Sequence, residues 1–281
     1  MTIAGILRLA AFSPQSNDLR IMQLTAERLE AAGNKVTLYP EDTLWEKDID
    51  ERIFFSMARH DSTLLKLHHY ESHGAIVINP VAGIRHCRRA EITRLMAKNH
   101  IPVPQSIVLD ISAGSILPSL PPFPCWLKRA DSWTQEKNDV CFIPDSDELH
   151  RCLSDFQQRN IRTAIVCRHI EGDIVKFYGV ADTHFFHWYH PTLDNGLSLS
   201  GLEAINGRAH LYDFSVTDLA ADMNRLAHLA QVPVYGGDCI VSPDGNYHII
   251  DFNDWPSFST CAEEAADAIA RYILKHTEPD G

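Results

Sequence analysis

The spacing of apolar and polar positions divides the chain into three stretches. In the first, residues 3–9 read as an apolar strand, and residues 18–32 repeat their apolar positions at helical spacing up to Gly33. Residues 35–39 are a second strand, 60–73 a helix, and 74–78 a third strand running into Asn79-Pro80. This βαβ rhythm predicts a small parallel sheet covered by helices. No G-x-G-x-x-G follows the first strand, so the dinucleotide fingerprint is missing. A helix over 90–99 is followed by Ile101-Pro102-Val103-Pro104 and by a Ser- and Pro-rich connector over 110–124, which places a domain boundary near 100 to 120.

The second stretch predicts a strand at 125–129, a polar loop at 131–139 and a strand at 140–143. A helix at 146–158 capped by Ser146 and a strand at 163–169 complete a compact α+β lobe. The third predicts strands at 173–180 and 183–189, a Gly- and Asn-containing excursion over 192–208, and a helix at 216–230. It ends with a hairpin of strands 238–242 and 247–252 and a closing helix at 261–274. The fold class is α/β followed by α+β, and no internal repeat is visible.

Composition narrows the possibilities. With 281 residues, 45% of them hydrophobic, the chain can bury a large core and more than one lobe. A formal charge of −12 and the absence of any Lys/Arg-rich run argue against nucleic acid as a partner. The apolar run at 3–12 carries Arg8, is too short to cross a bilayer and lacks leader features, so no membrane association and a cytoplasmic location are expected. Seven cysteines without a C-x-x-C pair signal neither a disulfide framework nor a zinc knuckle.

Candidate chemistry concentrates in the last hairpin. With Pro243-Asp244-Gly245-Asn246 as the turn, Ser242 faces Tyr247, and counting outward places Asp238 opposite Asp251. Their Cβ atoms would lie about 5 Å apart on one face, an arrangement of like charges that asks for a cation or a shared proton. Asn253 emerges on the same face and Asp254 on the other. Three oxygen-bearing side chains on a two-strand platform suit Mg²⁺, which takes hard oxygen ligands and keeps positions for water and phosphate. A surface hairpin with solvated acids remains the alternative on spacing alone. The histidines at 184, 187 and 190 do not read as a metal site, because His184 and His190 share one face of a strand far apart while His187 faces the other. The cluster of His68, His69 and His73 reads as an exposed helix face.

Asp238, then Asp251-Phe252-Asn253 followed by Pro256, resembles the end of the C-terminal lobe in the ATP-grasp superfamily. Other features stand in the same order as in that family. Asn79-Pro80, Arg89 and the 101–104 segment resemble the hand-off from its N-terminal domain to its central lobe. Pro124-Cys125-Trp126-Leu127-Lys128 resembles the strand whose lysine contacts nucleotide, and 166–173 resembles the hinge whose backbone holds the adenine edge. Lys176-Phe177-Tyr178-Gly179-Val180 resembles the first strand of the C-terminal lobe.

The resemblance, of the glutathione-synthetase-like, carboxylate–amine ligase type, implies three parts. These are a Rossmann-like pre-ATP-grasp domain over residues 1–100, a central lid lobe over 101–172 and a C-terminal antiparallel-sheet lobe with the metal site over 173–281. It also implies ATP, with Mg²⁺ or Mn²⁺ at Asp238, Asp251 and Asn253. Arg89, Lys128, Arg168, His169, Ile170, Asp173 and Lys176 are implied to bind the nucleotide, and Lys128 and Arg208 to act in catalysis. The implied activity is an ADP-forming ligase that joins a small-molecule carboxylate to an amine or similar nucleophile through an acyl phosphate. A small-molecule kinase and a catalytically silent nucleotide-binding module are the alternatives, and the oligomeric state is open, a homodimer being one option. Ser13, Ser16, Asn17 and Asp18, after the first strand, are candidate acceptor contacts. The lid loop at 130–139 departs from the family in having no glycine, so either Ser132, Thr134 and Lys137 substitute with side chains or the lid engages a differently shaped substrate.

Overall fold

The computed structural model describes residues 1–9, 17–112, 119–131, 136–191 and 203–277. Its first part contains β1 (Thr2–Leu7), α1 (Asn17–Ala31), β2 (Lys35–Pro40), α2 (Thr43–Glu46), β3 (Ile53–Ser56), α3 (Asp61–Ser72) and β4 (Ile76–Ile78). The strands form one parallel sheet in the order β2-β1-β3-β4. Strand β3 is a correction to the sequence pattern, which predicts only three strands here. Its four residues Ile-Phe-Phe-Ser lie inside the sheet, where neither face is wetted and no alternation is left to read. Strand β4 begins at Ile76 rather than 74 because Gly74, at φ +86°, and Ala75 close helix α3 onto the carbonyls of Glu71 and Tyr70.

Helices α4 (Val81–His86) and α5 (Arg89–Lys98) lead to a second sheet built from β5 (Ser106–Asp110), β6 (Cys125–Arg129), β7 (Val140–Ile143) and β8 (Thr163–Arg168), with α6 (Ser146–Gln158) between the last two. Its order is β5-β8-β6-β7, all antiparallel. Strand β5, unanticipated from the sequence, is an edge strand with little burial contrast along it. The cap of α6 is Asp145, not Ser146. Its carboxylate accepts from the backbone N–H groups of Asp147 and Glu148, both at 3.0 Å.

The third part comprises β9 (Asp173–Val180), β10 (Phe186–Tyr189), α7 (Glu203–Asn206), α8 (Val216–Ala230), β11 (Val234–Val241), β12 (Tyr247–Asp254) and α9 (Ala262–Thr277). The sheet runs β10-β9-β11-β12, antiparallel throughout. Strand β10 starts three residues later than its pattern suggests, because the Thr183 hydroxyl holds a turn by donating to Val180 O and accepting from Phe185 N–H.

Alternation in the third sheet decides where everything else packs. One face sends Val175, Phe177, Cys239 and Phe252 into a core with Leu219, Met223 and Leu226 of α8 and Ile92 and Met96 of α5. The other face divides in two. Tyr178, Val180 and Val234 meet Ile3, Phe55 and Ile78 of the first sheet together with α1 and α9. Ile174 and Ile240 instead face the second sheet across a cleft. The second sheet packs its own core on α6.

Asn79 joins the first sheet to the third. The side chain is fully buried, its Nδ2 donates to Val234 O at 2.7 Å, and Val234 N–H donates to its Oδ1 at 2.8 Å. The amide thus acts as one more rung on strand β11. Asn79→Ala would leave both Val234 backbone groups without this partner in a dry interface, at a cost of about 2–4 kcal/mol. Urea unfolding should show that loss, and a change below about 0.5 kcal/mol would remove Asn79 from the clasp.

Candidate functional site

The hairpin brings its carboxylates together by a route that counting from the turn does not anticipate. Val241, not Ser242, pairs with Tyr247, and Cys239 pairs with Ile249. A β-bulge between Cys239 and Asp238 then absorbs Ile250 and puts Asp238 opposite Asp251. The two departures cancel at the acids. The bulge also presents the Ile250 carbonyl to the cleft, where Lys128 Nζ from the opposite sheet donates to it at 3.2 Å.

Pairing across the four strands arranges the cleft face in rows. One row reads Tyr189, Lys176, Asp238, Asp251, and the row before it, nearer the hinge, holds Ile174 and Ile240. The row after it reads His187, Tyr178, Gly236, Asn253. Rows on one face are about 6.8 Å apart along the strands. Lys176 Nζ donates to Asp238 Oδ1 at 2.7 Å, and Asn253 Nδ2 donates to Asp251 Oδ2 at 2.9 Å. A Cβ at Gly236 would come within 2.7 Å of both Tyr178 and Pro256, so the absence of a side chain there lets those two rings meet over the strand.

Three cations from three elements face these acids. Arg89 reaches in from the start of α5, where its Nη1 donates to Arg129 O at 2.6 Å, Lys128 stands on β6 and Lys176 on β9. Burial alone would raise the Asp251 pKa. The charges of Arg89, Lys128 and Lys176, with the Asn253 hydrogen bond, hold the carboxyl below its usual range instead. Lys176 is likewise held charged: burial opposes it, but Asp238 keeps its pKa above the ordinary value. Three cations against two carboxylates leave one positive charge in excess, an environment suited to a polyanion.

Beside this row lies a narrow apolar slot walled by Trp126, Val140 and Cys167 of the second sheet and Ile174, Ile240 and Ile250 of the third. Lys128 stands in its lining, and His169 and Ile170 line it along the connection between the sheets. That connection is held by Asn206, whose Nδ2 donates to Ile170 O at 3.1 Å and Gly172 O at 3.0 Å. The slot is walled mainly by apolar side chains and borders the row of acids and lysines through Lys128. A more open hollow between α9 and the β9–β10 turn, lined by Asp182, Asp267 and Arg271 among others, shares none of these groups.

The remaining candidates are placed as follows. Arg168 is exposed at the mouth of the slot. Asp173 is a correction: its buried carboxylate accepts from His210 N–H at 2.7 Å and Tyr212 N–H at 3.0 Å, so it holds the 210–212 loop rather than facing the slot. Arg208 is exposed and is not among the residues lining the slot. Asp18 is taken by Arg8 Nη1 at 2.9 Å, Asn17 starts α1 and Lys137 is exposed in a short turn. Ser13, Ser16, Ser132 and Thr134 lie outside the described residues. Asp254, on the opposite face from Asp251, is fully buried and paired with Arg59 at 3.3 Å. The sequence reading did not find the Lys176–Asp238 pair, the Ile250 carbonyl or Asn206. Only the first had a signal, the alternation of Ile174, Lys176 and Tyr178 along one strand.

No family model and no curated protein matches the sequence. Solved structures do match the fold. A RimK-domain ATP-grasp protein from Sphaerobacter thermophilus is 17% identical at a TM-score of 0.67, over 98% of this chain and 100% of that one. D-alanine–D-alanine ligase from Bacillus anthracis, complexed with ATP, is 13% identical at 0.67, over 100% and 99%. The ATP-grasp ligase PsnB, complexed with a minimal precursor, Mg and ADP, is 13% identical at 0.63, over 99% and 98%. The chain has the ATP-grasp fold.

In this ATP-grasp cleft the donor set fits a hard divalent cation. Asp238 and Asp251 face each other with Asn253 bonded to one of them, and all three offer oxygen. Among the described residues no group of three or more His, Cys, Asp or Glu that could hold a metal assembles. Among the described residues, too, no helix is long and apolar enough to cross a membrane.

His169 is fixed by Trp126, whose Nε1 donates to its Nδ1 at 3.1 Å, leaving the ring proton on Nε2. Burial lowers its pKa from 6.5, with Glu171 opposing. The neutral ring therefore favours the folded cleft, fully so above 6.5, and this contribution is lost as pH falls through the lowered value. Imidazole ¹⁵N shifts should titrate with a midpoint below 6.5, and Trp126→Phe should alter the Nδ1 signal selectively. A midpoint above 6.5 would contradict the assignment.

Proposed function

We propose that the protein is an ATP- and Mg²⁺-dependent ligase of the ADP-forming kind. It would join a carboxylate to an amine or related nucleophile by way of an acyl phosphate. The observation that carries this reading is the convergence of Arg89, Lys128 and Lys176 on the Asp238/Asp251/Asn253 platform, directly beside the apolar slot. Several of the structurally similar proteins are ligases, and two were solved with ATP or with Mg and ADP, which supports the choice of reaction class.

The chain's own groups divide the work. The slot between the sheets would grip the base, and Asn206 keeps the connecting carbonyls fixed while it does so. Lys128 would release the Ile250 carbonyl for a phosphate oxygen, exchanging a neutral acceptor for an anionic one. Lys176 and Arg89 balance the carboxylates, so the phosphates would enter a site already positive and oriented. Asp238, Asp251 and Asn253 would hold Mg²⁺, which when bound supplies charge neutralisation to the phosphate oxygens.

A carboxylate oxygen attacking the γ-phosphorus would break its bond to the bridging oxygen and release ADP. A nucleophile would then displace phosphate at the carbonyl carbon. The carboxylate is a small molecule in this reading. A peptide carboxyl is the alternative, since one similar protein was solved in complex with a precursor peptide.

Turnover should therefore require ATP, Mg²⁺ and a carboxylate together and should release ADP. Asp251→Asn should lower kcat by about 10²-fold or more when assayed well below its melting temperature, and should also lower that temperature, because Arg89, Lys128 and Lys176 then face Asp238 alone. Lys128→Met should raise the KM for ATP by about tenfold, one charge-assisted hydrogen bond being lost. ATP consumption by Asp251→Asn at the parental rate would remove the platform from the site. AMP as product, or a stable phosphorylated acceptor, would replace the ligase with a different transfer.

A further inference from the structure

Another hollow, of about 590 Å³, opens behind the connection between the second and third sheets. That volume is typical of small-molecule sites, which run from about 300 to 1,000 Å³. Pro122, Phe123 and Pro124 form one wall, Arg168 and Glu171 stand on the connection, and Ser242 and His248 close the hollow from the third sheet. Arg168, His169 and Ile170 line this hollow and the apolar slot alike, whereas Trp126, Ile174 and Ile240 line the slot alone. The connection is therefore a partition with a space on either side. Ser242 lies four residues beyond Asp238 along the chain, about 13 Å in extended backbone, so the hollow is on the far side of the slot from the metal platform.

The lining combines an apolar wall with one cation and one anion. Pro122, Phe123 and Pro124 are all exposed, Phe123 to 41%. Three consecutive apolar residues left in water along a concavity favour an apolar ligand group. Burial lowers the pKa values of His248 and His169 from 6.5, so above 6.5 both rings are neutral and Arg168 and Glu171 carry the only formal charges on the lining. Among the described residues neither of these two side chains has a hydrogen bond or an ion pair, with the other or with any neighbour. Single exposed charges are ordinary on a protein surface. Here two of opposite sign border one hollow from positions whose Cα atoms are at most about 11 Å apart, within the combined reach of both side chains.

We propose that this hollow binds a free α-amino acid with an apolar side chain, its carboxylate on Arg168, its ammonium on Glu171 and its side chain against Pro122, Phe123 and Pro124. An α-amino acid carries both charges on one carbon and no net charge, which matches the balance of the lining. A simple carboxylate would leave Glu171 unanswered and meet its repulsion, and a simple amine would meet that of Arg168. The site is separate from the nucleotide slot, with which it shares only the partition.

Calorimetry on the whole protein without nucleotide tests the site with L-phenylalanine and L-leucine, and with 3-phenylpropionate and 2-phenylethylamine as probes that each lack one charge. At least one of the amino acids should bind once per chain with a Kd below about 1 mM, and L-phenylalanine should bind about tenfold more tightly than either one-charge probe, each of which loses one charge-assisted contact. Arg168→Gln should weaken L-phenylalanine and 3-phenylpropionate by a similar factor and leave 2-phenylethylamine unchanged. Glu171→Gln should weaken L-phenylalanine and 2-phenylethylamine and leave 3-phenylpropionate unchanged. Phe123→Ala, which touches the hollow but not the slot, should weaken all three. Saturating ATP and Mg²⁺ should leave one amino acid bound per chain. Absence of binding by both amino acids up to about 10 mM, or affinities that neither charge variant changes, would overturn the inference. Displacement by ATP would overturn it too, by putting the amino acid in the slot.

Discussion

The cleft is organised around one carboxylate that burial alone would neutralise. Asp251 stays ionised because Arg89, Lys128 and Lys176 surround it, and each belongs to a different part of the chain. Arg89 opens the helix that follows the parallel sheet, Lys128 lies in the second sheet and Lys176 in the third. Removing the carboxylate would leave three cations crowded together, and withdrawing any one of the cations would expose the charge it compensates. The charge balance therefore requires the parts to meet at one place, and the packing around it serves that meeting. Asn79 bonds the first sheet to β11 two residues before Gly236, and Pro102 O accepts from Ile249 N–H at 2.8 Å beside the bulge.

The bulge at Ile250 links backbone geometry to this electrostatics. A regular ladder would keep the Ile250 carbonyl within the sheet. Displaced from it, the carbonyl accepts from Lys128 across the cleft and bridges the lobes. The lysine has a partner in either situation, the carbonyl or an incoming anion, so its charge is never buried alone. The same residue contributes a side chain to the slot wall, which ties the shape of the slot to the position of the lysine.

Much of this organisation was legible in the sequence because it rests on periods and on turn residues. The βαβ rhythm, the helix at Val216–Ala230 and the pairing of Asp238 with Asp251 follow from alternation and helical spacing. The failures have physical causes. Strand β3 is short and buried on both faces, so nothing alternates, and β5 is an edge strand with little burial contrast. Counting from the turn reached the right acid pair through a register that is wrong by one at Val241 and Tyr247, since a bulge leaves no mark in a run of Ile-Ile. Asp173 sits beside the hinge in sequence, but its carboxylate satisfies backbone N–H groups nearly forty residues away, a partner that no local pattern announces.

The loop at 130–139 offers a case where charge can replace backbone freedom. Its sequence has no glycine, yet both of its described ends are tied. Arg129 Nε donates to Asp131 Oδ1 at 2.7 Å, and Asp131 Oδ2 accepts from Arg162 N–H at 3.1 Å. At the other end the fully buried Asp139 pairs with Arg159, lies 3.9 Å from Arg129 and accepts from Glu136 N–H at 3.1 Å. Arg129 thus touches both ends, and its own carbonyl receives Arg89. Ordering a loop costs roughly 1–2 kcal/mol of backbone entropy per residue, and ion pairs at its described ends offset part of that cost. Glycine lets a loop bend around phosphate by having no Cβ. Here the ends are set by buried charge, and through Arg129 and Arg89 they connect to the same Asp251 that organises the cleft.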